Sequence, residues 1–129
     1  MVVPFDENFP GASDLDYLIR LAQITPMVEI HRVYAIIGQG GDSHVAIDAR
    51  IQGRELLRQK HEHLFRDRRA LAFWHMRIGH LYRRGGYRMA SLRAFARSIF
   101  LTPTRPSPWK GLALTAMPSK VAQRLLSKQ

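Results

Sequence analysis

Apolar positions fall in helical register along most of this chain, with one stretch of alternation between them. Leu15, Leu18, Ile19 and Ala22 recur at i, i+3, i+4 and i+7, predicting an amphipathic helix. Ser13 is placed to cap it, Asp16 falls at the third helical position as in an S-x-x-D capping box, and Thr25-Pro26 ends it. MVEIHRVYAII then alternates, with Val28, Ile30, Tyr34 and Ile36 on one side, and predicts a short strand near Met27–Ile37. A glycine-rich turn at Gly38–Gly41 leads through Asp42-Ser43 into a long helix over about residues 44–65. Leu71, Trp74, Ile78, Leu81 and Tyr82 form a stripe ended by Gly85-Gly86; Leu92, Phe95, Ala96 and Ile99 form another ended near Pro103. Ser107-Pro108 supply the N-cap and first position of a further helix carrying Trp109 and Leu112, and Ser119 begins a short last one over Lys120–Ser127. The pattern predicts a mainly α chain with one short β element.

Composition narrows the classes. With 129 residues, 46% of them hydrophobic, the chain can bury a modest core. It contains no cysteine, which excludes disulfides, thiolate metal sites and a cysteine nucleophile. No apolar run approaches the ~20 residues of a membrane span, and the N-terminus lacks the basic-then-apolar form of a signal peptide. A cytoplasmic location is expected, free or peripheral on the cytoplasmic face of the membrane. Charge is polarised: residues 1–48 hold seven acidic and two basic side chains, whereas residues 49–129 hold three acidic and eighteen basic. Such asymmetry points to two functional surfaces and says nothing about fold.

The chemistry-bearing stretch is FDENFPGASDLDYLIRLA, Phe5–Ala22. Asp14 stands in the first turn of the predicted helix, where the positive end of the dipole keeps a carboxylate ionised. An ionised Asp at a loop-to-helix junction suits a general base. The plainer reading is that Asp14 and Asp16 cap the helix. The run resembles the acceptor-side stretch of the GT-A type, family-two glycosyltransferases, whose pattern is approximately G-x-F-D-E-x-x-x-x-x-E-D-x-D-L-x-x-R-L. Phe5, Asp6 and Glu7 match the F-D-E, Asp14 and Asp16 the D-x-D, and Arg20-Leu21 the end. The Asp of the family's E-D pair is the inverting base, and Asp14 falls on it, with Asp16 and Arg20 as acceptor-side support. Ser13 stands where the family has Glu.

That resemblance implies a remnant of a GT-A α/β domain over residues 1–43 and a helical C-terminal extension over residues 44–129. Only four residues precede the F-D-E match, leaving no room for the family's nucleotide-binding βαβ half or its metal-binding Asp-x-Asp. The expectation is therefore a truncated reading frame, a processed fragment, or one partner of a split enzyme, inactive alone. A complete member would bind a nucleotide-sugar with Mg or Mn; this chain alone is expected to hold neither cofactor nor metal. A missing donor-half partner or a homo-oligomer would complete it. The family's Y-R-x-H-x-x-S loop is not reproduced: Ile37-Gly38-Gln39 occupies the place of its Arg and His, and only Ser43 fits.

The second half carries another resemblance. Gly79, Tyr82, Gly86, Phe95, Ser98 and Pro103 are spaced similarly to a tetratricopeptide unit, with Ser91 and Ser98 in place of the usual alanines. One repeat and a half implies a helical hairpin rather than a peptide-binding superhelix. Nine arginines between Arg66 and Arg97 decorate it, among them Arg83, Arg84 and Arg88 around the Gly85-Gly86 turn. They read as a solvated face, as a surface for anionic headgroups or a polyprenyl-phosphate acceptor, or as a nucleic-acid surface. No nucleic-acid-binding motif supports the last. A non-catalytic, basic interaction or membrane-surface module is thus the alternative to the enzyme reading. The six histidines match no metal-binding spacing and read as solvated or packing residues.

Overall fold

Helix is the only regular structure among the described residues of the computed structural model, which are 4, 6–29, 44–118, 120, 121 and 124. Five α-helices follow in order: α1 (Ser13–Ile24), α2 (His44–Lys60), α3 (Arg68–Arg84), α4 (Arg88–Leu101) and α5 (Pro106–Ala116), with a 3-10 turn at Glu62–Arg66 between α2 and α3. The chain is mainly helical, as the pattern predicts. Of the expected strand, Met27, Val28 and Glu29 carry no regular structure. The rest of that segment and the glycine-rich turn lie outside the described residues. Lys120, Val121 and Arg124 are helical where a last helix is expected. No helix among the described residues is long and apolar enough to cross a membrane. Packing divides the chain into two compact units, residues 1–57 and 58–129.

In the first unit the start of α1 differs from the capping-box expectation. Ala12, not Ser13, is the N-cap, and no side chain caps the helix. The Asp16 N–H donates to the Ala12 carbonyl at 3.0 Å, so the first turn closes one residue early. Loop packing explains the shift. Gly11 has φ 65°, and a Cβ there would come within 3.0 Å of the Arg50 backbone. A Cβ on Gly53 would strike the Pro10 carbonyl and approach the Ala12 Cβ at 2.9 Å. This close approach of the loop to α2 buries Ala12 and overrides the capping preference of Ser13. It also turns α1: Ala12 and Asp16 are buried, whereas Leu18 and Ala22 of the apolar stripe are exposed.

In the second unit α3, α4 and α5 pack together. The helix begun at His44 stops at Lys60 rather than running to residue 65. His61 is buried there, and its carbonyl accepts from the Leu64 N–H at 2.9 Å as the 3-10 turn begins. Asp67 caps α3, its carboxylate accepting from the N–H groups of Arg69 and Ala70 at 3.4 and 3.2 Å. Gly86, with φ 81°, makes the turn into α4. The buried face of α4 is Ser91, Ala94, Phe95 and Ser98, rotated from the predicted stripe so that Ala96 is exposed.

The serines explain that rotation. Ser91 Oγ donates to the Gly79 carbonyl at 2.9 Å and Ser98 Oγ to the Ala72 carbonyl at 2.8 Å. The two bonds are seven residues apart on each helix and run in opposite order, so α3 and α4 are antiparallel and close. Trp74, Ile78 and Ala94 form the adjoining core, with Phe65 and Tyr82 against it. Pro106, not Pro108, takes the first position of α5, where its missing N–H is harmless; Pro108 is buried instead. Arginines close two helix ends. Arg68 donates to the carbonyls of Leu101 and Phe100 at 2.6 and 3.2 Å, and Arg88 to that of Ala116 at 2.7 Å.

Candidate functional site

The two carboxylates of Asp14-Leu15-Asp16 have opposite environments. Asp14 is exposed at the second position of α1, and its Oδ1 accepts from the Leu15 N–H at 2.8 Å. Asp16 is fully buried, and Arg20 Nε donates to its Oδ2 at 2.9 Å. The same guanidinium reaches back to the Pro4 carbonyl, with Nη2 donating at 2.6 Å. Asp16 and Arg20 therefore tie α1 to the segment that precedes it, an arrangement that fixes the helix on which Asp14 is presented. Upstream, Asp6 Oδ1 accepts from the Asn8 N–H at 3.1 Å and shapes the loop before α1. Glu7 is exposed.

The three arginines around the Gly85-Gly86 turn are not equivalent. Arg84 is exposed, whereas Arg83 is half-buried with an Nε that finds no hydrogen-bond acceptor. Arg88 is engaged at the C-terminus of α5. Substituting all three would disturb packing as well as charge.

A second constellation escapes the sequence reading. Leu71 and His75 of α3 and Ala96, Arg97, Phe100 and Leu101 of α4 line an open groove of about 530 Å³. Burial, then the guanidiniums of Arg97 and Arg58, lowers the His75 pKa to about 4, so its imidazole is neutral at neutral pH. His80, packed edge-on to Phe95 with centroids 5.0 Å apart, is likewise lowered by burial and by Arg83 and Arg77. Arg58 stacks on Trp74, 4.8 Å from the ring centroid. The signal for the groove was Phe100, an aromatic four residues beyond Ala96 and outside the buried stripe. Among the described residues no three His, Asp or Glu side chains gather as metal ligands.

No family model, curated protein or solved structure matches the chain.

Proposed function

We propose that the chain is the acceptor-side, C-terminal part of an inverting glycosyltransferase, with Asp14 as the base that takes the acceptor hydroxyl's proton. The observation that supports this reading is the division of labour within Asp14-Leu15-Asp16. One carboxylate is buried against Arg20 and anchors the helix; the other is exposed in the first turn, open to an acceptor. A carboxylate held in that way can accept a proton as the hydroxyl oxygen attacks the anomeric carbon and the nucleotide leaves. In this reading the nucleotide-sugar and its Mg or Mn are held by a donor-binding half, and this chain supplies the acceptor side. The test joins the chain to its donor-binding half and compares Asp14→Asn with wild type. The substitution should lower kcat by about 10²-fold or more with folding unchanged; retained turnover would remove Asp14 from this role.

A second reading is a basic module for anionic membrane surfaces, favoured by one face of α4. Met89 and Phe100, 63% and 80% exposed, share that face with Arg93 and Arg97. Apolar side chains among arginines at helical spacing suit the boundary between headgroups and acyl chains. Salt-sensitive binding to anionic but not neutral vesicles tests it.

A further inference from the structure

We propose that the groove between α3 and the C-terminal half of α4 binds a single-chain anionic amphiphile, with its chain along Leu71, Ala96, Phe100 and Leu101 and its phosphate or carboxylate head at Arg97. The site is distinct from Asp14 and does not rest on the glycosyltransferase reading.

Four observations carry it. The walls are apolar, and Phe100 is left 80% exposed beside them, an unusual position for a phenylalanine in a small helical unit. A volume of about 530 Å³, open to solvent, lies in the range of small-ligand sites.

The charges are complementary to an anionic head. Arg97 makes no hydrogen bond or ion pair among the described residues, yet it is close enough to His75 to act on its ring, as Arg58 does. No acid lines the groove. Residues 58–129 contain only two acids, Glu62 and Asp67, against sixteen Lys and Arg, and Asp67 is occupied in capping α3. An anion arriving at Arg97 thus meets a strongly positive surface.

The ends of the groove are prepared as well. The carbonyls of Phe100 and Leu101, which would repel an anionic head, are already covered by the Arg68 guanidinium. His75, neutral near pH 7, leaves the floor uncharged where an alkyl chain would lie. Among the described residues that line the groove Arg97 is then the one free cation, and the chain lies over uncharged side chains, an arrangement that distinguishes this ligand class from an inorganic anion.

The test titrates the full chain with octyl and decyl phosphate as monomers, below their micellar concentrations, beside decanol and decyltrimethylammonium. Amide shifts should localise to Leu71, Ala96, Arg97 and Leu101. Affinity should rise by about two- to fourfold per methylene until the groove is filled. Arg97→Gln should weaken decyl phosphate at least tenfold and leave decanol unchanged. Ala96→Trp, at an exposed position that leaves the helical signal intact, should block both. Equal affinity for phosphate and ammonium heads would overturn the proposal, as would shifts elsewhere or indifference to Arg97→Gln. A response confined to anionic vesicles or RNA, with none to the monomeric amphiphiles, would also overturn it and leave a general basic surface.

Discussion

The Phe95 ring lies against Gly79 so closely that a Cβ on that glycine would sit 3.1 Å from Cε1. On the other side a Cβ on Gly111 would overlap the same ring. Phe95 is fully buried, so one aromatic of α4 occupies the gaps left by glycines of α3 and α5. Gly→Ala inside a helix ordinarily stabilises by about 1 kcal/mol. At Gly111 the overlap decides the sign. Gly111→Ala should destabilise by about 1–3 kcal/mol, whereas Gly79→Ala, facing a contact that yields by a few tenths of an ångström, should stay within about 1 kcal/mol of wild type. Urea unfolding of the two variants checks the difference.

The serine bonds make a second prediction. Ser91→Ala and Ser98→Ala remove the buried hydroxyl bonds to Gly79 and Ala72 while keeping a small side chain at the interface, and Ser91→Ala also removes the longer 3.4 Å contact with the Thr115 hydroxyl. Each should destabilise by about 1 kcal/mol. The two are far enough apart along α4 for their effects to add. Ser98→Leu should be worse than Ser98→Ala, because its side chain would force α3 away from α4. Equilibrium unfolding of single and double variants measures both the size and the additivity.

What the sequence reveals here is what local periodicity and glycine or proline punctuation encode. α3 and α4 lie where Trp74, Ile78, Phe95 and the Gly85-Gly86 turn predict them. The misses have non-local causes. α1 begins early because Gly11 and Gly53 let a loop settle onto α2, a contact that no capping rule contains. The buried face of α4 is turned by serine hydroxyls whose acceptors lie on another helix. Arg88 reads as free surface charge until the Ala116 carbonyl, 28 residues on, is seen to accept from it. Asp14 and Asp16 stand two apart in α1, so helical geometry puts them on different faces, and the loop packing decides which of the two is buried.

That separation can be measured. Asp16→Ala removes a fully buried carboxylate and strands the Arg20 guanidinium that it holds. The loss should be about 2–4 kcal/mol, confined to the unit formed by residues 1–57. Asp14→Asn, at an exposed position, should change stability by less than about 0.5 kcal/mol. Native-state hydrogen exchange would show α1 amides losing protection in the first variant and keeping it in the second, with α3 and α4 unchanged in both. Equal effects of the two would contradict the assignment of Asp16 as the anchor of α1.

The last prediction concerns pH. His75 has a pKa of about 4 when folded and 6.5 when unfolded, so between those values the unfolded chain binds the extra proton. Stability therefore rises with pH from about 4 to 6.5 and is lost as pH falls through that window; below it both states are protonated and the dependence flattens. A shift of this size is worth at most about 3 kcal/mol, less where water in the open groove screens the ring. His80 is shifted in the same direction and adds to the slope. His75→Gln, which keeps a polar side chain of similar reach, should flatten the dependence between pH 4 and 6.5 without removing the part due to His80. Unfolding curves at half-unit pH intervals give the slope directly. An unchanged slope in His75→Gln would mean that the imidazole is already charged in the folded chain, and that burial and the Arg97 and Arg58 guanidiniums do not hold it neutral.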